Sequence, residues 1–217
     1  MIRFEDVSFS YDGSTRIISG LNYVIEKGSR TSIYGKNGAG KTTLVNLIGA
    51  MKMPDSGKVS VDGRDTGESR SKQEIRKKIF YVFNNPDTQI IAATVEEDIA
   101  FNLENRNLPA GDIKGRVEFA SRLLEIEDIL KLPVYFLSPV DKLKVVIAGM
   151  AAGEPQYIIL DCQELFYELW GVVRIEEIFS KMAAAEPLTV VWVTSNRKQL
   201  PAGYKLTEMS GGKLKDL

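Results

Sequence analysis

The nine residues from Gly35 to Thr43, GKNGAGKTT, constrain this chain more than any other stretch in it. They fit the pattern G-x-x-x-x-G-K-[ST], with its glycines at Gly35 and Gly40, and they stand in the setting that the pattern needs. Arg30 to Tyr34 reads as a short strand before the loop, and a helix is expected from Lys41 to about Met51 after it. Strand, glycine loop and helix in that order make a phosphate cradle. Glycines let backbone N–H groups close around an anion, and the helix N-terminus adds partial positive charge. Lys41 is placed to reach the β- and γ-phosphates of a nucleotide, and the Thr42 hydroxyl to take a Mg²⁺ position. Asn37, Gly38, Ala39 and Thr43 complete the binding loop.

A second signal is Gln156-Tyr157-Ile158-Ile159-Leu160-Asp161, an apolar strand that ends in a carboxylate. An acid at the C-terminal end of a parallel strand lies at the rim where α/β proteins bind ligands. There Asp161 can orient Mg²⁺ through a bound water. Other strands are expected from Ile2 to Phe9, Leu21 to Ile25, Lys58 to Val61, Ile79 to Phe83 and Leu188 to Val193. Helices are expected from Lys72 to Lys78, Thr94 to Asn105, Asp112 to Ile126, Ser138 to about Ala152, and Arg174 to Ala185. This alternation argues for an α/β core on a parallel sheet. The block from about Asn84 to Gly153 reads as a mostly helical insertion.

Composition removes several classes of function. The chain has 217 residues and no histidine, so Ser-His-Asp triads, imidazole bases and histidine metal sites are excluded. Its 28 Lys and Arg against 29 Asp and Glu leave no basic excess for nucleic acid or anionic lipid. Cys162, the single cysteine, allows no intrachain disulfide and suits a reducing compartment. No apolar run approaches the roughly 20 residues that span a bilayer. The charged start Met1-Ile2-Arg3-Phe4-Glu5 is no signal peptide. A cytoplasmic location is expected, with room for docking on a membrane protein.

GKNGAGKTT, YIILD and the segment from Tyr81, YVFNNPDTQIIAATVEEDIAFNLEN, resemble the ATP-binding subunits of ABC transporters, over essentially the whole chain. Within them the chain is most similar to the energy-coupling factor type, the cobalt and vitamin uptake group. The resemblance implies an ABC-type P-loop NTPase. It has a mostly parallel core sheet, an antiparallel N-terminal β subdomain and a helical insertion. Residues 1–217 would then be a single ATP-binding domain, with a RecA-like core at about 1–83 and 154–217 and a helical subdomain at about 84–153. ATP and Mg²⁺ are the implied cofactors. Tyr11, in VSFSYDG, matches the family's adenine-stacking aromatic. Asn84 falls where a glutamine usually joins Thr42 and Asp161 at the metal, keeping the amide on a side chain one methylene shorter.

The departures are concentrated. Family members usually place a glutamate after the strand-ending Asp, as general base for the attacking water; this chain has Cys162. A thiol is a poor base beside a triphosphate, because its thiolate would have to form next to negative charge. The switch histidine after Thr194 is replaced by Ser195. The signature LSGGQ keeps Leu137 and Ser138, but Pro139, Val140 and Asp141 replace Gly-Gly-Gln. In the family that loop caps the γ-phosphate held by an opposed subunit. Asp141 puts negative charge there, which is unfavourable. The positions that hold nucleotide are kept and those that hydrolyse it are lost.

The expectation is therefore an ATP-binding subunit that pairs, as a heterodimer, with a second, complete ABC subunit. Closure of the pair would drive an integral membrane coupling subunit and a substrate-binding membrane subunit, with the coupling surface near Asn84 to Val95 at the cytoplasmic face. Vitamin or metal-ion uptake follows from the resemblance, and a nucleic-acid partner does not. Two alternatives stand beside it. One is a self-sufficient P-loop ATPase or kinase using Glu164 or Glu168 as base; the other is a soluble, nucleotide-gated ABC module outside transport. Phe166, Tyr167 and Trp170 read as core packing, and Arg70 to Lys78 as a solvated helix face.

Overall fold

A computed structural model describes residues 1–83, 85–161, 165–182 and 187–217, with backbone only at 165–173. The strands are β1 (Ile2–Ser10), β2 (Arg16–Ile25), β3 (Arg30–Tyr34), β4 (Ser56–Val61), β5 (Arg64–Asp65), β6 (Ile79–Phe83), β7 (Tyr157–Asp161), β8 (Thr189–Thr194), β9 (Lys205–Ser210) and β10 (Lys213–Asp216). The helices are α1 (Lys41–Ile48), α2 (Ser69–Lys78), α3 (Val95–Glu104), α4 (Ala110–Leu124), α5 (Pro139–Ala152) and α6 (Leu165–Met182). They form two compact units. One comprises 1–81, 156–163 and 185–217; the other comprises 82–155 and 164–184.

The first unit carries two sheets. An antiparallel sheet runs in the order β2-β1-β4-β5, and a six-stranded sheet in the order β10-β9-β3-β8-β7-β6. In the second sheet β3 pairs in parallel with both β8 and β9, and β7 in parallel with β8. Strands covered on both faces need continuous apolar sequence. β7 and β8 meet that need, since Tyr157 to Leu160 and all of Thr189 to Thr194 are buried. β1 instead alternates at its start, Ile2 and Phe4 in, Arg3 and Glu5 out, as a strand with one wet face does. Ile2, Phe4 and Ile18 of the antiparallel sheet join Ile33, Ile159 and Val193 of the parallel one in a single apolar cluster with Leu44, Val45, Leu47 and Ile48 of α1. That burial fixes α1, and with it the loop that leads into the helix.

α1 ends a turn before the sequence suggests. Ala50 takes the left-handed conformation at φ 54°. Its N–H bonds the Leu47 carbonyl at 3.2 Å, and the Met51 N–H bonds that of Asn46 at 2.9 Å. This is a Schellman closure with alanine at the left-handed position where glycine is usual, one residue after the C-cap Gly49. Two further differences are that β2 begins at Arg16, well before Leu21, and that β9 and β10 form an unforeseen C-terminal hairpin.

The second unit is helical. Thr94 and Glu97 form a reciprocal capping box at the start of α3. Pro139 stands in the first turn of α5, where its missing N–H costs nothing. The far end of α5 is held by two guanidiniums. Arg106 donates to the Gly153 carbonyl at 2.7 Å, and Arg116 to the Ala152 carbonyl at 3.2 Å. Positive charge there complements the helix dipole.

Candidate nucleotide-binding site

The loop between β3 and α1 owes its shape to its glycines. Gly40, at φ 97°, is the N-cap of α1 and supplies no side chain to the first-turn N–H groups. A Cβ there would sit 3.0 Å from Ile17 and Met209, so both the backbone angle and the space call for glycine. The first turn of α1 also contains no acid. The helix N-terminus is left open to an anion.

Lys41 is buried at 5% exposure. Its ammonium donates to the Gly35 carbonyl at 2.7 Å and to that of Lys36 at 2.9 Å. Burial pushes its pKa down, and the charge of Asp161 opposes that shift only in part. A buried cation held by neutral carbonyls is a good receptor for phosphate, whose charge would offset the desolvation.

Asp161 ends β7 beside this lysine, and the Thr42 hydroxyl donates to its Oδ2 at 3.1 Å. Burial raises the Asp161 pKa, while the Thr42 hydrogen bond and the Lys41 charge pull the other way. Two hard oxygen donors at this spacing, one of them a carboxylate destabilised by burial, suit a small divalent cation. No three His, Cys, Asp or Glu side chains cluster as a metal site among the described residues, so phosphate oxygens would have to supply the other ligands. Mg²⁺ fits that description.

Tyr11 lies beside the same helix. Its hydroxyl pairs with that of Thr43 at 3.2 Å, and Phe9 meets its ring edge-on at 5.0 Å. The ring is 58% exposed, with the Lys52 ammonium 5.6 Å from its centroid. A wet aromatic face anchored at its hydroxyl can stack a base. Asn37 and Gly38 lie at the exposed crest of the loop, with Ala39 half-buried behind them. The Gly35 N–H donates to the Thr194 carbonyl at 3.2 Å, so the end of β8 buttresses the loop.

Past Thr194 the chain turns without a histidine. The Thr194 hydroxyl accepts from the Asn196 N–H at 3.0 Å and donates to the amide oxygen of buried Gln199 at 3.1 Å. Ser195 is half-buried within this turn. Asn84, Cys162 and Glu164 lie outside the described residues, as do the side chains of Phe166, Tyr167, Glu168 and Trp170. Ile17, Met209 and Gln199, which shape the loop and its neighbouring turn, were not singled out by the sequence. They reach these places through tertiary contacts that leave no local pattern.

In the helical unit, Ser138 is the N-cap of α5 and its oxygen accepts from the Asp141 N–H at 3.2 Å. Its own proton goes to Asp141 Oδ2 at 2.7 Å. Lys142, the next residue, is paired with Asp87 at 2.5 Å.

An uncapped helix behind a left-handed glycine, a buried lysine and a strand-end aspartate bonded to the adjacent threonine together define a P-loop nucleotide-binding fold. The family model for ABC transporters matches residues 18–162. The chain belongs to the ABC transporter family. It is 34% identical over 218 residues to the energy-coupling factor transporter ATP-binding protein EcfA1 of Caldanaerobacter subterraneus, covering 99% of this chain and 79% of that one. The cobalt import ATP-binding protein CbiO of Syntrophus aciditrophicus is 41% identical over 162 residues, 74% of this chain and 58% of its own. Among solved structures, cbiO1 from Clostridium perfringens, described as part of the ABC transporter complex cbiONQ, superposes with a TM-score of 0.85 at 29% identity. That match covers 99% of this chain and 86% of the other.

Proposed function

We propose that this chain is an ATP-binding subunit of an energy-coupling factor type transporter that holds MgATP at its own loop without hydrolysing it efficiently. The observation that carries the reading is Lys41, a buried ammonium that donates to the loop carbonyls of Gly35 and Lys36 and is set beside the Thr42–Asp161 pair. Gly35, Asn37, Gly38, Ala39, Gly40, Lys41, Thr42 and Thr43 would enclose the triphosphate, Tyr11 would stack the base, and Thr42, Asp161 and Asn84 would face Mg²⁺. The metal would neutralise charge on the phosphate oxygens and fix their geometry.

At the family's two positions for it, the sequence lacks a group to make water attack. Cys162 and Ser195 stand where the family carries its base and its switch histidine, and a positioned base is worth about 10²- to 10⁴-fold in rate. Without a carboxylate beside the γ-phosphate, a like-charge repulsion is also gone, which favours retained ATP by about 1–3 kcal/mol. Paired with a complete ABC subunit, the chain would close on nucleotide and pass that closure to membrane partners at the cytoplasmic face. Vitamin or metal-ion uptake is the work that the resemblance implies, and the cobalt import protein among the relatives accords with the metal-ion branch of it. No described helix is long and apolar enough to cross a membrane. In the helical unit the adjacent rings of Tyr135 and Phe136, 72% and 70% exposed, together with Ile91 at 67%, offer apolar surface for such a partner.

The test is co-purification from native membranes followed by ATPase assay of the isolated complex. An integral membrane protein and a second ABC subunit are expected to come down with the chain, and Cys162→Ala is expected to leave turnover unchanged. Recovery of the chain with soluble proteins alone would favour a role outside transport. A normal ABC turnover by the purified chain alone, also indifferent to Cys162→Ala, would show that hydrolysis here needs no base at that position, and the reading would fail.

A further inference from the structure

We infer that Asp141 is a specificity residue for pairing: it closes the N-terminus of α5 against an opposed triphosphate and so steers the chain away from pairing with a second copy of itself. The inference rests on the reading above, in which two cassettes close with nucleotide between them and α5 of one meets the phosphates bound by the other.

The start of α5 is capped by its own side chains. Ser138 is exposed and its side chain caps the helix. Its oxygen takes the Asp141 N–H at 3.2 Å and its proton is given to Asp141 Oδ2 at 2.7 Å. A hydroxyl has one proton. While Asp141 holds it, Ser138 presents to an incoming phosphate only lone pairs and a neighbouring carboxylate. Lys142, the next residue in the chain, is drawn off by Asp87 at 2.5 Å. Asp87, Asp141 and Lys142 together leave a net negative charge at the point where a triphosphate would need hydrogen-bond donors. Like charges in close approach weaken association and are an effective means of excluding a partner.

The consequence depends on the number of such ends in the closed pair. Two copies of this chain would set Asp141 against both nucleotides. A heterodimer with a cassette that has no acid at this position would do so once, and this chain's own nucleotide would meet the partner's unhindered helix end. Ser138 and Asp141 therefore select a mixed pair by penalising the symmetric one.

The experiment is sedimentation velocity on the full-length chain with saturating MgATP, and with nucleotide affinity measured separately by calorimetry. Wild type is expected to bind MgATP and remain monomeric. Asp141→Asn and Asp141→Gln remove the charge, keep a side chain able to meet the serine, and are expected to tighten MgATP-dependent self-association by about tenfold or more. Adding Ser138→Ala to Asp141→Asn is expected to reverse the gain. Monomer affinity for MgATP is expected to be the same in the two Asp141 single variants as in wild type. Wild type that dimerises as tightly as the variants would overturn the inference, as would variants that bind MgATP normally and stay monomeric. A chain that binds no MgATP would instead overturn the nucleotide reading, and this inference with it.

Discussion

The N-termini of α1 and α5 begin from the same physical situation and resolve it in opposite ways. Each helix starts with backbone N–H groups that have no intrahelical partner. At α1 the N-cap is Gly40, which has no side chain to answer those donors, and the first turn has no acid. At α5 the N-cap is Ser138, and Asp141 both donates its N–H to it and accepts its proton. An open end costs the free protein some stability and keeps a place for phosphate. A closed end stabilises the helix and gives the place up. Both ends lie in motifs that ABC proteins direct at nucleotide, so the contrast suggests a chain that grips its own ATP and offers little to another's.

The largest expected effect breaks the open end. Lys41→Ala removes the buried ammonium, and MgATP affinity is expected to fall by at least about a hundredfold by calorimetry, as befits loss of a charge-assisted contact in a desolvated site. Gly40→Ala attacks the same end through the backbone. A side chain at φ 97° with Ile17 and Met209 at 3.0 Å should destabilise the fold by about 1–2 kcal/mol in urea unfolding and weaken nucleotide binding with it. The closed end is tested by Ser138→Ala, which deletes the cap of α5 and should cost about 1 kcal/mol of stability while leaving MgATP affinity of the monomer intact.

A smaller effect concerns pH. Burial raises the Asp161 pKa above its ordinary 3.8, and Mg²⁺ requires the carboxylate ionised. The Mg²⁺-dependent part of nucleotide affinity should therefore be complete near neutrality and be lost on acidification through that raised pKa, earlier than an unperturbed aspartate would allow. In the absence of nucleotide the sign reverses. A folded-state pKa above the unfolded one means that Asp161 adds stability when protonated and loses that contribution as pH rises. Asp161→Asn should abolish both trends.

The sequence was most informative where function is written in consecutive residues. The strand, loop and helix around GKNGAGKTT were legible because each part constrains its neighbours, and β7 because a strand buried on both faces must be apolar throughout. The C-terminal hairpin was not, since β9 and β10 are largely polar and only Thr207 and Met209 are fully buried. Its one local signal, Gly211-Gly212 with both residues at positive φ, is a hairpin turn that the composition alone did not raise to a strand pair. The closure of α1 was obscured because the left-handed position falls on Ala50 and not on the neighbouring Gly49. Asp141 was visible as a charge in the wrong place; that it satisfies Ser138 emerges only from the fold, although an acid three residues after a serine is itself a capping pattern.

Retention of nucleotide without turnover is measured most directly by the fate of labelled ATP on the purified chain. Wild type incubated with Mg²⁺ and a slight excess of ATP, then freed of unbound nucleotide, should carry about one nucleotide per chain, recovered as ATP after hours, while Lys41→Ala carries none. Recovery as ADP, with phosphate released over many turnovers and no partner present, would contradict it.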